Sequence, residues 1–207
     1  FSMEEVSSFI PRNMRKRKVP KPTIWEELFS WIASFAVSFA ILALLFIFVG
    51  KPFTVSGQSM YPTLHNNDRM LMSKLGDINR FDVVVLHAPD QDKEYIKRVI
   101  GMPGDTVEVK EGKLYINGQP VEQPFINKEI LVNKTVYIDD FTLQELTGEL
   151  KVPEGKYFVM GDNRGVSRDS RMIGFIDRTA IEGKAVFTIW PYNRIGGQMN
   201  YSYLYSE

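Results

Sequence analysis

The sequence predicts a mainly β protein, an antiparallel β-sheet domain carried behind one amino-terminal membrane helix. Three observations point there. Leu28 to Val49 is an apolar run without a charge or a proline, and short β-branched or alternating segments follow it. Asn117-Gly118 then marks a tight hairpin. The expected organisation is a basic tail at 1–27, an anchor at 28–49 and a β-rich domain at 50–207, with a variable insertion at about 122–151.

The anchor comes first. Twenty-two residues at about 1.5 Å each make a helix of roughly 33 Å, enough for a hydrocarbon core of about 30 Å. Apolar residues run all round it, as a lipid-facing helix requires, and Trp25 and Trp31 sit near the first interface, where indoles are favoured. A buried core helix is the plainer alternative. Arg12, Arg15, Lys16, Arg17, Lys18 and Lys21 precede the run, whereas Lys51 is the nearby cation after it. Positive charge marks the cytoplasmic side, so the tail is expected in the cytoplasm and everything after Gly50 beyond the cell membrane. A cleaved signal sequence is the rival. The run is long for one, and Phe48-Val49-Gly50-Lys51 offers no small-x-small exit, so it reads as a retained anchor. No reading rests on Phe1 and Ser2, which precede Met3.

Beyond it, Phe81 to Leu86 is a short β-branched run, and Glu94 to Ile100 alternates. Thr106–Lys110, a Glu111-Gly112 turn, Lys113–Ile116 and the Asn117-Gly118 turn form a series of hairpins. Lys156–Met160 and Lys184–Trp190 add two strands. Outside the anchor, helical period is confined to a turn or two around Leu143–Leu150. Residues 122–151 are weakly patterned and read as a peripheral insertion or smaller lobe.

Composition narrows the chemistry. Apolar residues make up 44% of the 207, enough for a globular core once the anchor is set aside. Lys+Arg and Asp+Glu balance at 25 each, which gives no global attraction to nucleic acid, and no nucleic-acid partner is expected. The absence of cysteine excludes thiol catalysis, disulfides and cysteine-held metals. His65 and His87 are the two imidazoles, too few for a His-rich metal site, and no metal or cofactor is expected.

Three segments carry chemical groups. In Ser56-Gly57-Gln58-Ser59-Met60-Tyr61-Pro62-Thr63 a glycine before and a proline after Ser59 describe a sharp bend. Such a bend exposes a hydroxyl and turns a backbone N–H toward whatever it attacks; alone, such clusters are more often plain turns. Ser59 lies ten residues beyond Val49, so an extended chain holds it within about 35 Å of the bilayer. In the second segment, Tyr95 to Asp105, a strand places Tyr95, Lys97 and Val99 on one face. Burial of Lys97 would lower its pKa from about 10.4 toward the range of a general base. The plainer reading has Lys97 reaching water and Arg98 pairing with a surface acid. The third, Met160 to Arg171, is dense in hydrogen-bonding groups, and suits either a structural turn or a scaffold for a catalytic amine.

Taken in order behind one anchor, Ser-Gly-x-Ser-Met-x-Pro-Thr, Lys-Arg-x-x-Gly-x-Pro-Gly-Asp and Gly-Asp-Asn-Arg-x-x-Ser-x-Asp-Ser-Arg resemble the type I signal peptidases of bacteria, in their short Gram-positive form. The resemblance runs from the anchor to about Gly174, with a weaker echo at Ile181–Trp190. It implies a membrane-bound serine endopeptidase with Ser59 as nucleophile and Lys97 as general base, acting through an acyl-enzyme. It implies that Ser167 hydrogen-bonds the lysine amine, and that Asp162, Asp169, Arg98 and Arg171 hold loop and strand by ion pairs. The implied partners are secretory preproteins with cleavable signal peptides, membrane lipid and a nearby secretion translocase. Some family members place a serine two positions before the nucleophile as an oxyanion donor. Here that position is Gly57, so the expected donors are the Ser59 N–H and Ser56. Phe53, Val55, Met60 and Tyr61 supply either an apolar edge that dips into lipid or ordinary core.

Three rivals remain at this level. A Ser-His-Asp triad would use His65 and Asp162, although His65 sits in a polar turn and His87 at a strand end. A tethered β-domain that only binds exported chains would keep its activity in Ser59→Ala, whereas a protease would lose it. Self-cleaving Ser-Lys repressors share related chemistry but usually carry a DNA-binding domain.

Overall fold

The computed structural model describes residues 23–126, 139–197, 201, 204 and 205. The chain divides into two units, meeting between Ala43 and Leu44. The described residues of the first belong almost wholly to one helix, Ile24–Val49, which continues into the second. Its Ile24–Leu44 stretch has a mean hydropathy of 1.9, and among the described residues it is the one helix long and apolar enough to cross a membrane. It begins before the uncharged run because Thr23 opens it. The Thr23 carbonyl accepts from the N–H groups of Glu26 and Glu27, and its N–H donates to Glu26 Oε2 at 2.7 Å. Two carboxylates at a helix amino terminus also suit its dipole.

The second unit contains two antiparallel sheets. In the first, Lys51–Thr54 (β1) pairs with Arg69–Ser73 (β2). The order then runs through Ile181–Trp190 (β11), Val83–His87 (β3), Glu94–Gly101 (β4), Lys156–Met160 (β9) and Ile176–Asp177 (β10). Gly196–Gly197 (β12) adds to β11 off this path. The second sheet is ordered Gln119–Val121 (β7), Lys113–Ile116 (β6), Val107–Lys110 (β5), Phe141–Thr142 (β8). The fold class expected from sequence is therefore the one observed.

Both expected hairpin turns are present. Lys110 pairs with Lys113 and Ile116 with Gln119, leaving two-residue loops at Glu111-Gly112 and Asn117-Gly118. All four loop residues have φ between 51° and 78°, the left-handed pair of a type I′ turn that matches strand twist.

The strands missed by sequence have physical reasons. β2 buries Met70 and Met72 between Arg69, Leu71 and Ser73, a true alternation built without β-branched residues. β1 contains Pro52 and is an edge strand, where a missing N–H costs no ladder bond. Conversely, Phe81 was expected in β3 but stands in the turn before it, at φ 68°. A bulky side chain seldom adopts that conformation. Here the Phe81 ring is buried, its N–H bonds to the Val99 carbonyl, and its own carbonyl faces Arg98.

Residues 122–151 contribute more than an edge. Phe125, Ile126, Phe141 and Leu143 are buried with Val107, Leu114, Ile116 and Phe158 in one apolar cluster. Leu143–Thr147 is a helix, opened by a Thr142/Glu145 capping box and closed by Gly148 at φ 80°. Residues 127–138 of the expected insertion lie outside the described residues.

A candidate serine–lysine site

β4 supplies the amine. It pairs with β3 from Glu94 to Arg98, and with β9 only from Arg98 onward. The Glu94–Lys97 stretch thus leaves one side to an open cleft of about 400 Å³, lined also by Phe53, Ser56, Gly57, Ser59 and Val166. Lys97 is 3% exposed. Its Nζ donates to Ser59 Oγ at 3.0 Å and to the Ile96 carbonyl at 2.9 Å, and lies 4.9 Å from the centre of the Tyr95 ring. Burial disfavours the ammonium and lowers the pKa to about 8, against the pull of the Asp169 and Asp162 charges, which raise it.

The loop between β1 and β2 supplies the hydroxyl. Its base is closed by the Val55 N–H to Asp68 O and the Asn67 N–H to Val55 O, both 2.8 Å. Met60 and Leu64, each 1% exposed, fix the loop to the core on either side of Tyr61-Pro62-Thr63. Gly57 has φ 91°, and its N–H is taken by Asn66 Oδ1 at 2.8 Å. The Ser59 N–H meets no acceptor among the described residues. It is the backbone donor left over beside the hydroxyl, with Ser56 exposed on the same cleft wall. Val55 and Met60 belong to the core rather than to an exposed apolar edge, whereas Tyr61 is 38% exposed.

The loop after β9 holds these two parts together. Arg98, next to Lys97 but on the opposite face of β4, donates from Nε to Asp162 Oδ1 at 2.8 Å and from Nη2 to Oδ2 at 2.6 Å. Its Nη1 donates to Phe81 O at 2.8 Å, and the Thr63 hydroxyl donates to Asp162. The following residue, Asn163, donates its N–H to Ser59 O at 2.9 Å and its side-chain amide to Gln58 O at 3.1 Å. One buried ion pair therefore connects the strand of the amine to the backbone of the serine. The second pair, Arg171 to Asp169, is bidentate at 2.8 and 2.9 Å. Burial alone would raise the Asp169 pKa. The Arg171 guanidinium outweighs it, together with the Gly161 N–H, and holds the carboxyl below its ordinary range.

Of the expected residues, the structure brings Ser59, Lys97, Arg98, Asp162, Asp169 and Arg171 together in these contacts. Ser167 differs from its implied role. Its hydroxyl is buried and has no hydrogen-bond partner among the described residues, while the lysine amine is directed to Ser59 and the Ile96 carbonyl. The hydroxyl lies near enough to Asp169 to favour the ionised carboxyl. It also packs hard against Gly161, where a Cβ would come within 2.1 Å of Ser167 Oγ and 2.5 Å of Ser59 O. Gly161→Ala is therefore expected to push the Ser59 backbone out of place, and to cut kcat about 100-fold with most of the fold retained. Circular dichroism beside a cleavage assay checks both halves.

Neither histidine joins the site. The His65 ring packs at 5.1 Å on Tyr61, and His87 Nε2 bonds Glu182 at 2.8 Å. Thr63 and Asn163 stood in the quoted motifs, but their tethering bonds carry no sequence signal. Phe125, whose ring lies 4.2 Å from the Arg98 guanidinium, had none at all.

Comparison with known proteins adds the family. The model of the family "signal peptidase, peptidase S26" matches residues 28–190. Signal peptidase IB of Staphylococcus aureus is 40% identical over 184 residues, covering 84% of this chain and 96% of its own. Signal peptidase I of Bacillus licheniformis is 39% identical over 177 residues, covering 82% and 92%. The crystal structure of a signal peptidase I from Enterococcus faecalis is 38% identical, with a TM-score of 0.48, over 54% of this chain and 98% of that one.

Proposed function

The chain belongs to the signal peptidase family, peptidase S26, and from that premise we propose that it removes signal peptides with Ser59 as nucleophile and Lys97 as general base. Membership makes it a hydrolase, a serine peptidase acting on preproteins that carry signal peptides. The observation that carries the residue assignment is the 3.0 Å approach of a buried amine, its pKa near 8, to the Ser59 hydroxyl.

Neutral Lys97 takes the Ser59 proton as Oγ attacks the scissile carbonyl. The resulting oxyanion is held by the Ser59 N–H. Protonated Lys97 returns its proton to the leaving amine, which departs as the new amino terminus of the mature protein. Water, deprotonated by the same lysine, then hydrolyses the acyl ester and frees Ser59. Asp169 and Asp162 keep the amine from becoming too weak a base, since their charges oppose the effect of burial.

The Ile24–Val49 helix supports anchoring in the cell membrane, and the cations before it support a cytoplasmic tail with the β-domain outside. In that placement the domain meets preproteins beside the secretion translocase and at the lipid surface.

The test is incubation of a purified preprotein with the chain in detergent, followed by mass spectrometry of the product. A mature chain with one new amino terminus is expected from wild type and His65→Ala, and none from Ser59→Ala. Cleavage that persisted in Ser59→Ala would overturn the assignment. Because the base must be neutral, kcat/KM is expected to rise with pH and to level off above a midpoint near 8. A flat profile from pH about 6 to about 10 would remove Lys97 from that role.

A further inference from the structure

We infer that Tyr201 is a positioning residue for the Ser59–Lys97 pair, closing the solvent side of the ion pair that connects strand and loop. The inference rests on the peptidase reading. The Arg98 guanidinium lies in an aromatic corner, 4.2 Å from the centre of the Phe125 ring and 5.4 Å from that of Tyr201. The two rings meet edge to face at 5.4 Å. Arg98 is 1% exposed, yet a cavity of about 460 Å³ opens beside it, lined by Thr63, Asp68, Phe125, Arg194 and Tyr201. The ring of Tyr201 is thus part of the wall between that cavity and the Arg98–Asp162 pair.

The position matters because of what the pair holds. Arg98 follows Lys97 on β4, and Asp162 precedes Asn163, whose N–H fixes the Ser59 carbonyl. Water admitted to the pair would raise the local dielectric, loosen the guanidinium and let the two catalytic side chains drift. It would also leave the Asp162 charge, which already raises the Lys97 pKa, less compensated by Arg98. The expected fivefold change in rate corresponds to about 1 kcal/mol, within reach of a cation held over a ring.

An internal comparison sits four residues on. The Tyr205 ring lies 4.2 Å over Arg80, which pairs with Asp105, and its hydroxyl accepts from Asn117 Nδ2 at 2.9 Å. The chemistry is the same, but neither Arg80 nor Asp105 bonds Ser59, Lys97 or the loop of Asn163 among the described residues. Tyr205 therefore reports what loss of such a contact does to the fold alone.

The experiment measures kcat, KM, the pH midpoint and the melting temperature for the full chain in detergent, with the kinetics run well below the lowest melting point. Tyr201→Ala is expected to lower kcat about fivefold, leave KM within about twofold, and move the midpoint to higher pH. Tyr201→Phe keeps the ring and should restore most of the kcat that alanine loses. Tyr205→Ala should lower the melting temperature while leaving kcat and the midpoint unchanged. Tyr201→Leu preserves apolar bulk without the ring face, and should fall on the side of alanine even if alanine folds poorly. Wild-type kcat and midpoint in Tyr201→Leu, or an equal kcat loss in Tyr205→Ala, would overturn the inference. Absence of product from wild type would instead strike the peptidase reading.

Discussion

Lys97→Met is expected to lower kcat/KM by about 10³-fold and, at the same time, to raise the melting temperature at pH 7. General-base removal accounts for the first effect at the usual 10²–10⁴. Ser59→Ala should reduce turnover to background, and the double substitution should lose nothing further, because nucleophile and base act as one unit. The second effect follows from where the amine sits. Its pKa falls from 10.5 in the unfolded chain to about 8 in the fold, chiefly through burial. Between those values the unfolded state binds more protons than the folded one, so stability rises with pH across the interval. Below about 8 the fold instead carries a buried ammonium, at a cost of about 3 kcal/mol at pH 7. Methionine has similar length without the charge, so the gain should be visible at pH 7 and gone by pH about 10.5. Thermal melts of the two proteins at both pH values decide it. A methionine variant that was less stable than wild type at pH 7 would mean that the two hydrogen bonds of Nζ outweigh its burial. Such a site is destabilised in the ground state as a condition of its chemistry.

The sequence made the long apolar helix and the hairpins legible because each rests on local information, whereas the pairing of Ser59 with Lys97 was implied only by the resemblance of three segments taken together. An uncharged apolar run of that length is long enough to cross a membrane, and Asn-Gly has one favoured turn. The Thr142-x-x-Glu145 box and Gly148 were equally local signals of a helix. What sequence did not reveal is contact across distance. Phe125 and Tyr201 meet on Arg98 from segments far apart in the chain, and nothing in their own surroundings marks them. The direction of the Ser167 hydroxyl was hidden for a related reason. Ser167, Gly161 and the Ser59 carbonyl crowd one spot, where a Cβ on the glycine would meet both serines, and that crowding comes from two loops rather than from either alone. β2 escaped notice because methionine fits a buried strand face without advertising it.

Breaking the Arg98–Asp162 pair from one side is expected to be the most damaging change outside the dyad. Both side chains are at most 1% exposed. Arg98→Met leaves the buried Asp162 carboxylate facing Thr63 without the guanidinium it pairs with. Removing one partner of a buried pair costs about 3–5 kcal/mol. At roughly 2–4 °C for each kcal/mol in a domain of this size, the melting temperature should fall by about 10 °C or more. Replacing both, as Arg98→Met with Asp162→Leu, removes the charge problem, and much of that stability should return. Activity should not return with it. The pair orients the backbone of Asn163, whose N–H holds Ser59 O, against the strand of Lys97. Apolar packing fills the same space without a fixed direction, and a displacement of about 1 Å between reacting groups costs up to 100-fold. The double variant should therefore melt near wild type while cleaving at least tenfold more slowly. Recovery of both properties would mean that the pair only fills the core. Recovery of stability alone would separate what holds this domain together from what aligns its serine with its lysine.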